Sequence, residues 1–395
     1  MIVLFNKYKI FLIELIINFF SFSIFILAQQ IIALPILSRF YQPSEFGTIV
    51  ILLGISGIIT SMFGYSIGNG RLFNKKYYNK KFVKIFYISN FIVMGISSTS
   101  YFYFTSSYFE SLIFTCLCLL GNIRNFLQSE YRLNNTHDYL FKQNLWYFFG
   151  LLIGILFFFI FEKWVIIFLF AEMISVSLSY CFLHKGIFFR LFKDDSKLSL
   201  TNTFQLIINN GASYSLAQYD RFIIYPILGS TNVSLYYSAS VSTKIGGLIM
   251  NPLSSYILGK MATKEVENNN EPIRLSIICS FLIIIFYFIL SLITTPILVK
   301  ILYPSYFSMI GDIFIFICLG AAFMSGTSIL KPITMKYIGV KFYNKIFFIY
   351  GGILVSLSIV LCLNYNLVGL AIANLISSFI LYILILVVNI KKYSH

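Results

Sequence analysis

The chain has 395 residues, of which 58% are hydrophobic and only 11% are charged, and its mean hydropathy is +0.85. Soluble domains carry roughly 25% charged residues, so this composition excludes a soluble fold and indicates a protein whose solvent is lipid. The net charge of +15 comes from Lys and Arg in short segments between apolar runs, not from one basic face, which argues against nucleic acid as a partner.

The first apolar run follows Lys7 and Lys9 and extends from about Ile10 to Leu37. It is too long for the core of a signal peptide and has no small-residue cleavage site, so we expect it to remain as the first membrane span. Eleven more runs of about 20 residues follow, each long enough to cross a hydrocarbon core of roughly 30 Å.

Each run is predicted to be helical, because backbone groups in lipid must find their hydrogen-bond partners within the segment. Runs such as LLIGILFFFIF (151–161) do not alternate polar and apolar residues, which excludes a barrel. The fold class is therefore all-α, a polytopic membrane protein with about 12 transmembrane helices. The predicted spans are 11–38, 47–69, 84–105, 109–127, 143–161, 164–183, 202–228, 233–258, 275–299, 307–330, 346–364 and 367–389.

Lys and Arg are distributed unevenly between the two sets of alternate loops that these spans create. One set carries 24 of the 29 residues, the other carries only Arg39, Lys163 and Lys300, and Arg221 and Lys244 fall inside spans. The cytoplasmic side of a membrane protein carries the excess of Lys and Arg, so we predict that both termini are cytoplasmic.

Among the 24 Lys and Arg residues of the inner loops we count Arg71 and Arg124. Outer loops are as short as EK (162–163) and NYN (364–366), which leaves no room for a catalytic or receptor domain on that side. The protein is therefore expected to act within the membrane.

Motifs for cofactors and catalysis are missing from the sequence. The segment GYSIGNGR (64–71) lacks the Lys and Ser/Thr that end a phosphate-binding loop, and the six cysteines show no metal-ligand spacing. The three histidines are isolated, and the pair Asp194 and Asp195 lies between lysines, as in a solvated loop. We therefore expect no cofactor and no enzymatic activity.

Three predicted helices carry a polar face, although ionisable groups inside a span are costly unless they meet a partner or water. Lys244 lies roughly 17 Å from the outer end of its span, near mid-bilayer, and Asp220 and Arg221 lie about 12 Å from the outer face. We expect a shared hydrated interior; the alternative is an internal ion pair of Asp220 with Arg221 or Lys244. The faces comprise Glu14, Asn18, Ser21, Phe25 and Gln29 on the first helix, Asn209, Ser213, Ala217 and Asp220 beside Asn210, Tyr214, Gln218 and Arg221 on the seventh, and Tyr237, Ser240, Lys244, Gly247 and Asn251 on the eighth.

Two segments resemble a known family. ALPILSRFYQPSEFGTIVILLGISGIITSMFGYSIGNGR (33–71) is similar to the first two helices of Wzx-like polysaccharide flippases, which carry O-antigen or capsule repeat units, in the multidrug/oligosaccharidyl-lipid/polysaccharide exporter superfamily. AQYDRFIIYPILGSTNVSLYYSASVSTKIG (217–246) resembles their seventh and eighth helices. The motif positions are Arg39, Pro43, Glu45, Phe46, Gly47 and Arg71 in the first segment and Asp220, Gly229, Tyr236 and Lys244 in the second.

The resemblance implies two six-helix lobes, 1–200 and 201–395, around a central cavity. It implies a flippase that moves undecaprenyl-diphosphate-linked oligosaccharides to the periplasmic leaflet of the bacterial inner membrane by alternating access. Expected partners are the lipid-linked substrate, membrane lipids and the polysaccharide polymerase machinery. The expected substrate-binding residues are Lys244, Arg71, Arg221 and Arg39, and Glu14 or Asp220 would carry a coupling proton.

Two other functions remain open at this point. A drug efflux carrier of the same superfamily would prefer an acidic cavity for cationic drugs. A membrane glycan polymerase or ligase would need a large outer loop with catalytic Arg or carboxylate groups, and the outer loops here are short.

Overall fold

A computed structural model describes residues 20–21, 23–72, 80–133, 137–183, 201–247, 250, 254 and 271–394, and every regular element within them is helical. Nine helices in these ranges are long and apolar enough to cross a membrane. The predicted all-α, polytopic membrane fold is confirmed. The nine are Ser23–Phe40, Pro43–Gly70, Lys84–Thr105, Tyr108–Ser129, Asp138–Phe161, Trp164–Phe182, Ile273–Leu302, Ile313–Tyr337 and Lys341–Lys391.

We number the α-helices in chain order. They are α1 (Leu34–Phe40), α2 (Pro43–Thr60), α3 (Ser66–Leu72), α4 (Lys80–Thr105), α5 (Tyr108–Leu133), α6 (His137–Phe161), α7 (Trp164–Leu178), α8 (Thr201–Ala217), α9 (Tyr219–Leu228), α10 (Ser230–Ala239), α11 (Glu271–Leu302), α12 (Ile313–Tyr337) and α13 (Val340–Ser394). Single π-helical segments, Ala28–Ala33, Ser61–Tyr65 and Ser179–Leu183, extend α1, α2 and α7. A 3₁₀ turn, Pro304–Met309, follows α11.

Most observed helices follow the predicted spans, except at the seventh, eighth and tenth. The tenth was predicted at 307–330, but the helix begins at Ile313 and ends at Tyr337, after a 3₁₀ turn. Residues 11–19 of the first predicted span lie outside the described residues. The third span, 84–105, coincides with the apolar part of α4. The last two predicted spans both fall in α13, which is interrupted at Tyr365 and Asn366, where the backbone leaves helical geometry. The single long helix is thus two helices joined by a turn.

Several of the turns between helices contain one residue in the left-handed region. Ser106 (φ 55°) joins α4 to α5, Glu162 (φ 55°) joins α6 to α7, and Asn366 (φ 53°) joins the two parts of α13. The N–H of Ser106 donates to the carbonyl of Phe102 at 2.8 Å, and that of Glu162 donates to Phe158 at 2.8 Å. Each hydrogen bond satisfies a carbonyl in the last helical turn, as expected for a helix that ends in a left-handed residue.

Large apolar side chains remain exposed over much of the surface. Phe91, Leu112, Ile160 and Phe182 are each between 65% and 71% exposed. Soluble proteins do not leave so many large apolar groups in contact with water, so these side chains are suited to contact lipid. Hydroxyl groups inside the helices bond locally; for example, Ser97 Oγ donates to the Val93 carbonyl at 2.6 Å.

Packing divides the chain into two compact units. Unit 1 comprises Met1–Leu37 and Thr48–Gln218, and unit 2 comprises Ser38–Gly47 and Tyr219–His395. In unit 1, α5 packs against α4 and α7, and α6 packs along α7. In unit 2, α12 packs against α11 and α13, and α9 packs against α13. The assignment of lobes to 1–200 and 201–395 stays a prediction.

The α6–α7 hairpin depends on two glycines spaced one turn apart. A Cβ at Gly150 would lie 2.8 Å from the Phe170 carbonyl oxygen, and one at Gly154 would lie 2.5 Å from the Ile167 carbonyl oxygen. Small residues at this spacing let membrane helices approach closely, which is how helices associate without a hydrophobic driving force. Glycine is therefore required here for packing and not for backbone flexibility.

We predict that Gly154→Ala destabilises the protein by about 1–3 kcal/mol, because the added methyl group forces α6 away from the backbone of α7. Thermal unfolding in detergent measures the effect. The matched control is Gly95→Ala on α4, where a Cβ meets nothing within 4 Å. An equal loss of stability in both variants would contradict this account of the hairpin.

Candidate functional site

The seventh and eighth spans, predicted as continuous helices at 202–228 and 233–258, are both broken. Gln218 separates α8 from α9, and its N–H donates to the Ser215 carbonyl at 3.2 Å. Ser240 (φ −94°, ψ 4°) ends α10 before a helical stretch at 241–247, and its N–H is shared between the carbonyls of Tyr236 and Tyr237. Broken helices occur at membrane depth where polar neighbours satisfy the freed backbone groups, typically at transporter binding sites.

Lys244 and Arg221 both contact the ring of Tyr237. The Lys244 ammonium nitrogen lies 3.7 Å from the ring centroid, and the Arg221 guanidinium carbon lies 5.3 Å from it. Tyr237 is only 1% exposed. The negative face of an aromatic ring attracts cations, and the attraction strengthens when water is excluded. One ring on α10 thus holds two positive charges.

Lys244 and Asp220, near Tyr237, each have an enclosed polar atom without a hydrogen-bond partner among the described residues. For Lys244 it is the ammonium nitrogen, and for Asp220 it is the Oδ1 atom. Within that part of the chain, Lys244 and Asp220 do not come within the 4.0 Å of an ion pair. The internal Lys244–Asp220 ion pair, which the sequence left open, is therefore not formed. We call Asp220, Arg221, Tyr237 and Lys244 the Tyr237 site.

Aromatic residues of unit 2 enclose this site. The rings of Phe46 and Tyr303 lie 6.1 and 6.2 Å from that of Tyr237. Burial raises the pKa of the Tyr303 hydroxyl well above its ordinary value of 10. The enclosing hydroxyl therefore stays neutral and supplies no negative charge to balance the two cations.

The other predicted site residues have different surroundings or fall outside the described residues. Arg39 is exposed, and its Nη2 donates to the Ile301 carbonyl at 2.8 Å. Ile301 is in the last turn of α11, so Arg39 caps the carboxyl end of that helix. The backbone of Arg71 lies in α3, but its side chain and the whole of Glu14 lie outside the described residues.

Arg124 was not recognised as a site residue from the sequence. It lies in α5 and is 5% exposed, not in the inner loop where we counted it. Its Nε donates to Glu172 Oε2 at 2.7 Å, and both side chains are buried. The predicted span 109–127 already included position 124, so the cation inside the span was the available signal.

The polar face predicted on the first helix packs next to Arg124 in unit 1. Phe25 lies under the Arg124 guanidinium, 4.4 Å from its carbon, and Gln29 Nε2 donates to the Tyr147 hydroxyl at 2.7 Å. Ser21 accepts a hydrogen bond of 2.9 Å from Asn144 of α6. Three of the five residues predicted on that face therefore have observed polar or cationic partners.

Apolar helices of membrane-spanning length identify a multi-pass membrane protein. Solved transporters of the MOP superfamily have a similar fold. An inward-facing multidrug-resistance MATE transporter of that superfamily matches with a TM-score of 0.67 at 12% identity, covering 94% of each chain. A MATE protein in its straight conformation matches with a TM-score of 0.63 at 12% identity, over 97% of this chain and 95% of that one.

A lipid-carrier flippase also shares the fold. The lipid II flippase MurJ, in an inward closed conformation, matches with a TM-score of 0.55 at 16% identity, over 99% of this chain and 89% of that one. No protein-family model matches the sequence, and no curated protein matches it. Identities this low show the fold alone.

We predict that Lys244→Met raises the stability of the protein by about 1 kcal/mol. An ammonium at the mid-membrane depth that the sequence predicts for Lys244 costs about 2.5–3.5 kcal/mol, and a desolvated cation–π contact returns only about 2 kcal/mol of that. Thermal unfolding in nanodiscs gives the comparison. Lys345→Met, at an exposed position of α13, should change stability by under about 0.5 kcal/mol. A Lys244→Met protein that unfolds earlier than the parent would show that the ammonium is a structural contact.

Proposed function

We propose that this chain is a flippase that moves undecaprenyl-diphosphate-linked oligosaccharides from the cytoplasmic to the periplasmic leaflet. The observation that carries the proposal is the enclosed Lys244 ammonium of the Tyr237 site, which has no hydrogen bond or ion pair among the described residues. An ionisable group inside a membrane protein marks a substrate or ion pathway by default, so we expect an anionic passenger to contact this ammonium. A fold shared with a lipid II flippase agrees with a lipid-linked passenger.

The chemistry of the passenger matches this charge. A diphosphate diester carries about two negative charges, and its glycan is too polar to cross lipid unaided. Arg221 offers a planar fork that fits phosphate oxygens, whereas Lys244 offers a point charge. The tyrosine ring holds both cations in place between passengers, because their attraction to it replaces part of the lost hydration.

The driving force is proposed to be an ion gradient or the gradient of the substrate, since the sequence has no nucleotide-binding loop. Asp220 is a candidate carrier of a coupling proton, because its Oδ1 atom is enclosed without a hydrogen bond. Glu14 is the other candidate from the sequence. Protonation of Asp220 would remove the one negative charge of the site and strengthen its hold on an anion.

The proposal places the protein in the bacterial inner membrane with both termini in the cytoplasm. There it would deliver repeat units of O-antigen or capsule to the polysaccharide polymerase machinery. Arg71 and Arg39 remain proposed substrate contacts, and the capping bond of Arg39 is compatible with a second role at the helix end.

Drug efflux is the second candidate, because MATE transporters share the fold. A carrier of cationic drugs requires negative charge at its binding site, whereas the Tyr237 site has two cations and one carboxylate. The charge balance therefore favours an anionic passenger. A glycan polymerase or ligase is the least favoured function, since two of the three similar structures above are described as a transporter and a flippase and none as an enzyme.

We predict that Lys244→Gln and Arg221→Gln each slow flipping at least tenfold in proteoliposomes that contain undecaprenyl-diphosphate-linked oligosaccharide. Each loses one charge–phosphate contact, worth about 1.4 kcal/mol or more. The passenger that has crossed is measured by its accessibility to a glycosidase added outside.

Two controls make this experiment decisive. Lys345→Gln removes an equal charge at an exposed position and should flip at the rate of the parent. A cationic dye offered to the same vesicles tests the efflux alternative. The proposal fails if the parent protein moves the dye and not the glycan, or if both glutamine variants flip normally.

A further inference from the structure

Arg124 lies in unit 1 with its guanidinium group held on three sides. Glu172 of α7 accepts the Nε hydrogen bond at 2.7 Å. The ring of Phe25 lies 4.4 Å from the guanidinium carbon, and that of Tyr147 lies 5.2 Å from it. Because the two rings and the carboxylate act together, the plane of the guanidinium is fixed in one orientation.

The far edge of the same guanidinium is unused. Neither Nη1 nor Nη2 of Arg124 donates to any residue that the structure describes. Neither atom is among the enclosed polar atoms that lack a partner, so both border accessible space. A residue only 5% exposed therefore keeps both Nη atoms, with their four N–H groups, at its small accessible surface.

The ion pair with Glu172 uses only one side of the guanidinium. Donors that border accessible space are satisfied by water or by a ligand, so the Nη1–Nη2 edge can exchange water for a second partner. A guanidinium has two separate edges, so the bond from Nε to Glu172 leaves the Nη1–Nη2 edge free for a second partner. Two parallel N–H groups match the spacing of two phosphate oxygens.

We propose that Arg124 is a further anion-binding residue, which takes a phosphate group of the carrier lipid on its Nη1–Nη2 edge. This inference rests on the proposed flippase function, because it assigns the same diphosphate to a second position in the protein. Glu172 is a positioning residue that fixes the fork. Phe25 and Tyr147 keep the guanidinium in place when no anion is bound.

Phosphate oxygens reach a membrane protein from two sources, the carrier diphosphate and ordinary anionic lipid headgroups. The experiment therefore measures the affinity of the purified protein for undecaprenyl diphosphate in phosphatidylcholine nanodiscs. A parallel series replaces the probe by phosphatidylglycerol. The carrier diphosphate should bind at least tenfold more tightly than phosphatidylglycerol, since it offers two phosphates.

The key variant is the double substitution R124Q/E172Q. Removing both charges avoids a buried unpaired carboxylate, so the protein is expected to unfold at the temperature of the parent. Its affinity for undecaprenyl diphosphate should fall at least tenfold. Arg124→Lys keeps the charge and loses the fork, and a three- to tenfold loss is expected. Lys142→Gln, in an exposed pair with Asp138 of the same unit, is the matched control and should bind normally.

The outcomes separate this inference from the proposed function. Normal affinity in R124Q/E172Q, beside a loss in Lys244→Gln, would overturn the role of Arg124 and leave the flippase proposal standing. Should the double variant fail to fold, normal affinity in Arg124→Lys would overturn it as well. Equal binding of phosphatidylglycerol overturns the assignment to the carrier lipid. No binding of undecaprenyl diphosphate by the parent defeats both proposals.

Discussion

A positive charge inside lipid must be stabilised by the protein, because the surrounding hydrocarbon offers neither water nor counterions. The chain does this in two ways. Lys244 rests on an aromatic face, without a hydrogen bond or an ion pair among the described residues. Arg124 has an ion pair with Glu172 and two rings around it. The first arrangement leaves the ammonium nitrogen without a hydrogen bond, whereas the second leaves an edge with unused donors.

The same scarcity of polar partners made much of the fold predictable. A segment such as 84–105 has one solution in lipid, a helix, and its observed limits agree with the apolar run that defined it. The short polar segments between such runs have to be turns. Glu162 and Asn366 lie in such segments, at the ends of helices, as expected. Length and hydropathy are enough to predict these helices, because each segment forms its backbone hydrogen bonds independently of the others.

The site was less predictable because it depends on contacts between segments. Hydropathy treats 202–228 as one helix, and the break at Gln218 depends on whether nearby groups satisfy the freed backbone. The pairing of Arg124 with Glu172 spans 48 positions in the sequence, a distance at which periodicity carries no information. The stripe with Ser21, Phe25 and Gln29 was visible from helical spacing, but its partner Tyr147 on α6 was not.

The left-handed residues at Ser106, Glu162 and Asn366 have a consequence for biogenesis. Each of these connections is very short, so placing the second helix beside the first, once the first is inserted, costs little loop-closure entropy. The pairs α4–α5, α6–α7 and the two parts of α13 should therefore integrate as preformed hairpins, before any larger assembly. Such tight connections also offer proteases, antibodies and inserted tags almost no flexible backbone to engage.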